Sequence, residues 1–428
     1  MKIAILTMFN GLDVTYSLVG VVYEHITMLL QAGISVRMLV SEDCPDSARY
    51  GVFADPRLEW VKVTNRLQGK RIHWYDYTQT VGKVHNNFYE EADKIASDLT
   101  EKLKDCDVCM MHDILFQGWH LVHNVAIRKV GTLLPNLRFI SFTHSMPFPP
   151  PDTCEPPFDA RFRPMPNTIF VYPTKSGLPA LARQYNVPLT SCCVVSHTYS
   201  MLKYKSQPTR KVCDNINLTT PEIIIVYPAR LTSAKRLEKV AAFAGAMKNC
   251  ANGVSLVFCD FPSSDTSSQG YKSIIRHNGK QFGLLDEDIL FTSDIGYKNG
   301  FPHESVIELF SMSNLYVCPS FAESFGLTVL EAVAGKNVLV LNEAVPALKE
   351  LGDKFNAYFL RWDALGFGSQ TFETYHPSEK AYYNEHCSLI LNDMRENKVI
   401  QAQIKLRQEF NQEYVFKSQL LSLLNNEK

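Results

Sequence analysis

Two cations and two carboxylates stand after apolar runs in the second half of the chain, and an open α/β sheet binds its ligands beyond the carboxyl ends of its strands. Arg230 and Lys235 follow the apolar run Ile223-Ile224-Ile225-Val226 and precede a helical pattern. A loop with two cations at the end of a buried strand can hold a diphosphate, Arg with a planar fork of donors and Lys with a compact charge. The alternative is a pair of solvated surface charges. Further on, Pro319-Ser320-Phe321-Ala322-Glu323-Ser324-Phe325-Gly326-Leu327 leads from a strand ending at Cys318 into a helix starting near Gly326. Glycine lets a ligand approach the backbone, and the unpaired N–H groups of a first helical turn suit a phosphate. Glu323 lies in that loop, and Glu331 one to two turns into the helix. Carboxylates are poor phosphate ligands and good acceptors for sugar and ribose hydroxyls. A capping Glu and an exposed helical Glu are the plainer alternative, which leaves the glycine and the spacing unexplained.

This stretch resembles the Glu-x7-Glu signature of retaining glycosyltransferases of family 4, where it follows an Arg and a Lys spaced as Arg230 and Lys235 are. Gly335-Lys336-Asn337-Val338-Leu339-Val340 resembles that family's Gly-x-Pro-Val strand, with Asn337 in place of proline. Phe291–Gly296 and Glu304–Phe310 resemble the segments that precede the signature. The resemblance is specific over residues 222–352 and continues as pattern over the first half. It implies an α/β fold of the GT-B class: two Rossmann-like domains with a deep cleft between them and a C-terminal helical segment. It also implies a retaining hexosyl- or pentosyltransferase with a nucleotide-sugar donor, a UDP-sugar. By that resemblance Arg230 and Lys235 neutralise the leaving diphosphate, Glu323 binds hydroxyls of the donor sugar and Glu331 the ribose. The loop and helix start at Ser324, Phe325, Gly326 and Leu327 touch phosphate and sugar. Cations and a helix N-terminus take the place of a metal, so neither a metal nor another cofactor is expected. Asp286-Glu287-Asp288 reads as a turn rather than a metal motif.

In the first half Thr143-His144-Ser145 ends a strand. In the resembled family a His at this position faces the donor sugar; a structural histidine is the alternative. His112-Asp113 ends another strand and resembles a second position lining the cleft. Where the family carries paired glycines after the first strand, this chain has Asn10-Gly11-Leu12-Asp13-Val14-Thr15, and Asp13 is either an acceptor-binding group or a helix N-cap. Two further segments stand out. One, Arg66–Tyr77, interleaves cations with aromatics and includes Arg71 and Trp74; the other is a proline-rich loop over 147–166 with Arg161 and Arg163. Cations beside aromatics suit phosphate contact and base stacking. They suit sugar stacking as well, and aromatics simply packed on the domain surface are the third account. Met1–Leu6, with Val14, Thr15, Ser17 and Leu18, is similar to DNA-modifying glycosyltransferases of T-even-type phages. That similarity implies hydroxymethylated cytosine in duplex phage DNA as acceptor, reached by flipping the base. The alternatives are a lipid, polysaccharide or small-molecule acceptor, or a sugar-nucleotide epimerase on the same architecture. The helix expected near 81–104 carries Glu90, Glu91, Asp93, Asp98 and Glu101, not the basic face of a membrane-surface helix.

The elements that must position these residues alternate from the first residue. Apolar runs at 2–8, 34–40, 107–111, 137–142, 169–172 and 191–195 alternate with helical spacing in the first half. The same alternation resumes at 222 and ends in a helical C-terminus. Strand–helix–strand alternation implies parallel sheets with crossover helices; residues 51–80 break it. The expected domains are an acceptor domain over 1–200, a linker over 201–220, a donor-binding domain over 221–410 and a C-terminal helix over 411–428 packing back on the first domain. A length of 428 residues suits two or three domains, and 46% hydrophobic with 20% charged residues is an ordinary globular balance. A net charge of −1 argues against a protein that coats nucleic acid non-specifically. No apolar run approaches the about 18 residues that span a bilayer, so no membrane insertion is expected, and Met1–Leu6 is too short for a signal peptide. The 11 cysteines are odd in number and many sit in apolar runs, which suits reduced thiols in a cytoplasm, the host's if the chain is phage-encoded. Cys106 and Cys109 have half a zinc spacing with no second pair nearby.

Overall fold

The apolar runs become parallel strands, buried on both faces as crossover topology requires. The computed structural model describes residues 1–72, 75–263, 268–362 and 379–426. Two units separate: Met1–Tyr199 with the chain from Gln412 onward, and Ser200–Asn411.

Unit 1 holds a seven-stranded sheet of β1 (Lys2–Leu6), β2 (Ser35–Ser41), β3 (Leu58–Val63), β6 (Val108–His112), β7 (Arg138–Phe142), β8 (Thr168–Tyr172) and β9 (Cys192–Val194). A two-stranded ribbon, β4 (Arg66–Leu67) with β5 (Lys70–Arg71), lies outside it. The order is β3-β2-β1-β6-β7-β8-β9, all pairs parallel. Crossover helices are α1 (Ser17–Gln31), α2 (Phe88–Leu103), α3 (Leu121–Leu133) and α4 (Leu178–Tyr185). Strand order reverses between β1 and β6, and such switch points open a crevice at the carboxyl ends of the strands. Residues 51–80, expected to be irregular, contain β3. Its alternation of charged and apolar residues, Leu-Glu-Trp-Val-Lys-Val, is that of a half-exposed edge strand rather than a buried one. The helix expected over 81–104 begins only at Phe88.

Unit 2 has a six-stranded parallel sheet in the order β12-β11-β10-β13-β14-β15. Its strands are β10 (Ile223–Arg230), β11 (Val254–Phe261), β12 (Ile289–Phe291), β13 (Leu315–Cys318), β14 (Val338–Asn342) and β15 (Tyr358–Leu360). Its helices are α5 (Gln207–Cys213), α6 (Leu237–Lys248), α7 (Ser268–Gln281), α8 (His303–Phe310), α9 (Leu327–Ala334), α10 (Pro346–Phe355), α11 (Glu379–Glu396) and α12 (Lys398–Glu409). The switch point falls between β10 and β13, the two strands that end at Arg230 and Cys318. Residues 200–220 are more than a connector. They carry α5, whose Val212 is fully buried in the unit 2 core and whose Thr209 hydroxyl bonds Glu308 of α8.

Both units are therefore Rossmann-like, the α/β make-up of the GT-B class. After Asn411 the chain returns to unit 1 as α13 (Gln412–Val415) and α14 (Leu421–Asn425). Val415, Leu420, Leu423 and Leu424 join a core with Ile3, Ile5, Val22 and Ile140. Gln419 Oε1 accepts from the Ser196 backbone N–H at 2.7 Å.

Candidate active site

In unit 2 the loops after β10 and β13 are laced together. The Phe321 N–H donates to Ala234 O at 3.0 Å, the Ser320 hydroxyl to the same oxygen at 3.3 Å, and the Tyr227 hydroxyl to Lys235 O at 3.0 Å. Asn342 at the end of β14 ties the second loop from below, its side-chain amide donating to Ser320 O at 3.0 Å. This lacing brings Lys235 Nζ onto Glu323 Oε1 as an ion pair. Gly326 caps α9 with φ 93°, a left-handed conformation that a side chain strains. No side chain caps α9; the Val329 N–H donates to Gly326 O at 2.9 Å, and Phe325 and Leu327 at the helix start are 50% and 67% exposed. Arg230 is exposed at the end of β10. The sequence-chosen residues Arg230, Lys235, Glu323, Ser324, Phe325, Gly326 and Leu327 thus sit on two adjoining loops at the carboxyl ends of the two central strands.

The Glu331 carboxylate, on the second turn of α9, lies at hydrogen-bond distance, 2.8 Å, from His303 Nε2. Asn337, which stands where the resembled family has proline, is a buried clasp. Its amide donates to Phe310 O at 2.9 Å and Ala332 O at 3.1 Å, and its Oδ1 accepts from the Ser313 hydroxyl at 2.6 Å. Gly335 before it leaves no room for a side chain: a Cβ there would meet Phe310 O at 2.6 Å.

Arg236 escaped the sequence-based choice. It holds φ 51° with no glycine to ease it, is 5% exposed, and lays its guanidinium 3.9 Å over the Phe321 ring. Its Nε donates to Glu238 Oε1 at 3.0 Å, while Nη1 is buried without a hydrogen-bond partner. Strained backbone and an unsatisfied buried donor beside a candidate site are features that cluster at functional positions. The only signal in the sequence is its place next to Lys235.

In unit 1 the carboxyl ends of β6, β7 and β9 bring three histidines into a hydrogen-bonded row. His112 Nδ1 lies 2.9 Å from His144 Nε2, and His144 Nδ1 lies 3.2 Å from His197 Nε2. The His112 ring lies 9° from parallel with Phe142, 4.8 Å between centroids, and 9° from parallel with His144, whose centroid is 5.2 Å away along their hydrogen bond. His25 of α1 packs on His112 at 5.3 Å. Burial, and then the neighbouring His197 and His25, hold His144 down to about 3, and burial does the same to His25. His112 is pushed well below the usual histidine range, first by burial. Asp113 follows at φ 59°, and its Oδ1 accepts from the His144 backbone N–H at 2.8 Å. Burial raises the Asp113 carboxyl above its ordinary value. His197 could have been found only by noticing a histidine just past the last strand.

The remaining first-half candidates divide. Asp13 is exposed, and its Oδ1 accepts from the Thr15 N–H and hydroxyl, both at 2.8 Å. The N-cap of α1 is Tyr16 instead, without a side-chain hydrogen bond, which corrects the capping expectation for Asp13. Arg161 is corrected too. It is 5% exposed and spends Nε on Phe116 O at 2.7 Å and Nη1 on Tyr77 O at 2.8 Å, with its guanidinium between Phe116 and Phe162. It fastens the proline-rich loop rather than offering a charge. Arg128 of α3 holds the same loop through Pro164 O, Ala160 O and Arg163 O at 2.7–2.8 Å. Arg163 pairs with Asp159 at 3.1 Å and Arg71 with Asp43 at 3.1 Å; Asp43 also takes Arg66 at 3.0 Å. Trp74 lies outside the described residues. Among the described residues no three His, Cys, Asp or Glu side chains gather in a metal-holding group, and no helix is long and apolar enough to cross a membrane.

The chain superposes on sucrose-phosphate synthase from Thermosynechococcus elongatus with a TM-score of 0.35 and 15% identity, covering 100% of this chain and 98% of the other. A glycosyltransferase from Rickettsia africae gives 0.37 and 13%, covering 100% and 99%. Anabaena HepE in complex with UDP gives 0.36 and 11%, covering 100% of each. No curated protein matches the chain in sequence. Residues 211–361, the span from α5 through β15, match the family described as glycosyl transferases group 1.

Proposed function

We propose that the chain is a retaining glycosyltransferase that moves a sugar from a UDP-sugar to an acceptor hydroxyl. The observation that carries the reading is the lacing of the β10 and β13 loops, which sets Lys235 against Glu323 beside the uncapped start of α9, inside the stretch that matches glycosyl transferases group 1. Arg230 and Lys235 meet the diphosphate, the α9 N–H groups add a dipole, and Glu323 and Glu331 accept sugar and ribose hydroxyls. The acceptor oxygen bonds to the anomeric carbon on the face from which the diphosphate departs. The bond from that carbon to the phosphate oxygen breaks, and the hydroxyl proton passes to the leaving phosphate, so configuration is retained. The loop cations and helix N-terminus supply the charge stabilisation, so no metal is called for. Charge stabilisation and positioning of this kind account for most of the acceleration.

The proposed acceptor is hydroxymethylated cytosine in duplex DNA. A second reading, an uncharged carbohydrate or small-molecule acceptor, is favoured by the pairing of Arg66 and Arg71 with Asp43 and of Arg163 with Asp159, which spends cations that would otherwise meet phosphates. Calorimetry with UDP and UDP-sugars tests the donor: no binding of any of them, with or without EDTA, removes the proposal. Mass spectrometry of hydroxymethylated DNA incubated with the enzyme and a panel of donors tests the acceptor. A hexose or pentose mass increment supports the DNA reading; unchanged DNA beside turnover on a carbohydrate panel supports the second.

A further inference from the structure

Two consecutive residues of the β10 loop hold two residues of the β13 loop that stand two apart. Lys235 pairs with Glu323, and Arg236 lays its guanidinium over the Phe321 ring. A tight turn brings this about. The Lys235 and Arg236 N–H groups donate to Thr232 O and Ser233 O, both at 3.1 Å, and the turn closes in the left-handed conformation at Arg236. The two contacts differ in what can break them. The Lys235 side chain is 31% exposed, so an entering anion competes with Glu323 for its ammonium. Arg236 is buried, out of such an anion's reach.

Arg236 is itself fixed from α6 and α7. Its Nε donates to Glu238 Oε1, and Glu238 Oε2 accepts from the Tyr271 hydroxyl at 2.6 Å. The Tyr271 oxygen in turn accepts from the Leu237 N–H at 3.1 Å. Two features oppose an arginine here: a φ of 51°, which glycine would adopt freely, and a buried Nη1 with no hydrogen-bond partner. The Phe321 face and Glu238 offset them, since a desolvated guanidinium is drawn strongly to a ring face.

We infer that Arg236 is a positioning residue that keeps the Glu323 loop in place once a nucleotide diphosphate has taken Lys235. The inference rests on the proposed donor site and adds a residue to it, within unit 2. As the diphosphate draws Lys235 away, Glu323 loses its side-chain anchor. The Arg236–Phe321 stack, with the Phe321 N–H on Ala234 O, survives that exchange. Glu323 therefore stays where a sugar hydroxyl can meet it, and the site gives up one contact to the ligand without giving up its shape.

Calorimetry with UDP, UDP-glucose, UDP-galactose and UDP-N-acetylglucosamine tests this on the full-length protein. Arg236→Gly relieves the backbone angle and so keeps the turn. It is expected to bind UDP within about twofold of the wild type and the best-bound UDP-sugar about tenfold more weakly, the loss of a hydrogen bond to a charged group. Phe321→Leu is expected to do the same, and the double variant to lose no more than either alone. A merely structural role would weaken UDP and UDP-sugar together. Equal losses for the two ligands, an unchanged UDP-sugar affinity in Arg236→Gly, or additive losses in the double variant overturn the inference. Urea unfolding of the same four proteins reads the stack in the free protein, and absence of coupling between positions 236 and 321 overturns it as well. If none of these nucleotide-sugars binds the wild type, the donor reading falls and this role with it; binding by the wild type that Arg236→Gly fully retains removes this inference alone.

Discussion

Lys235 and Glu323 neutralise each other across two loops that belong to different strands of the same sheet. A diphosphate entering beside them competes with a carboxylate for the ammonium. Lys235→Ala should therefore weaken UDP binding and lower transfer at least about tenfold, about 1.4 kcal/mol. Glu323→Ala should lower transfer by a similar factor while UDP binds at least as tightly as to the wild type, because the cation is released. Calorimetry of both variants separates the roles. Equal loss of UDP affinity in the two would refute the division of labour.

Acid should loosen unit 1 through its buried histidines. In an unfolded chain a histidine titrates near about 6.5, whereas burial holds His25 and His144 at about 3 in the fold. Between those limits the unfolded state binds more protons, so stability is complete above about 6.5 and is lost as pH falls toward about 3. Each such ring contributes a slope approaching about 1.4 kcal/mol per pH unit within that window. His25→Phe should remove one ring's share. Urea unfolding from pH 7 to pH 4.5, followed for both proteins, reads the difference; an unchanged slope would argue that His25 is not held neutral.

Asn337 is a structural residue in a segment of functional pattern. Asn337→Ala strips partners from Phe310 O, Ala332 O and the Ser313 hydroxyl, and should cost about 1–3 kcal/mol. Asn337→Pro, the residue of the resembled family, should cost more, since the Asn337 backbone N–H also donates to Ala332 O at 3.0 Å. Denaturant melts rank the two. A proline variant as stable as the wild type would contradict the clasp.

The proline-rich loop should come loose without Arg161. Arg161→Ala loses bonds to Phe116 O and Tyr77 O and the stacking on two phenylalanines, about 2 kcal/mol or more. Limited proteolysis should then cut within 147–166 several-fold faster than in the wild type. Arg161→Lys should not restore resistance, because an ammonium lacks the planar fork. Equal cleavage rates in all three proteins would sink this account.

Strands buried on both faces were legible as uninterrupted apolar runs; β10 and β13 begin or end within a residue or a few of where Ile223 and Cys318 suggest. The edge strand β3 was not, because half of it faces out and Glu59 and Lys62 interrupt the apolar signal. The loop residues of unit 2 could be picked from their types, since glycine, acids and cations after apolar runs have few cheap uses. Arg236 and His197 could not. What distinguishes them is a backbone angle, a ring underneath or a row of neighbours, and those come from residues up to about a hundred positions away. The same distance misled at Arg161, whose charge is plain in the sequence while its consumption by Phe116 O and Tyr77 O is not.

The return of α13 and α14 to unit 1 carries a consequence for synthesis. Val415, Leu420, Leu423 and Leu424 complete a core whose other members lie before residue 200. On the ribosome the half that emerges first is thus the half that finishes last, its apolar seat waiting while about two hundred residues of a contiguous neighbour are made and can fold. A fragment cut after Tyr199 would keep that seat open permanently, and the nascent protein has reason to rely on a chaperone during that interval.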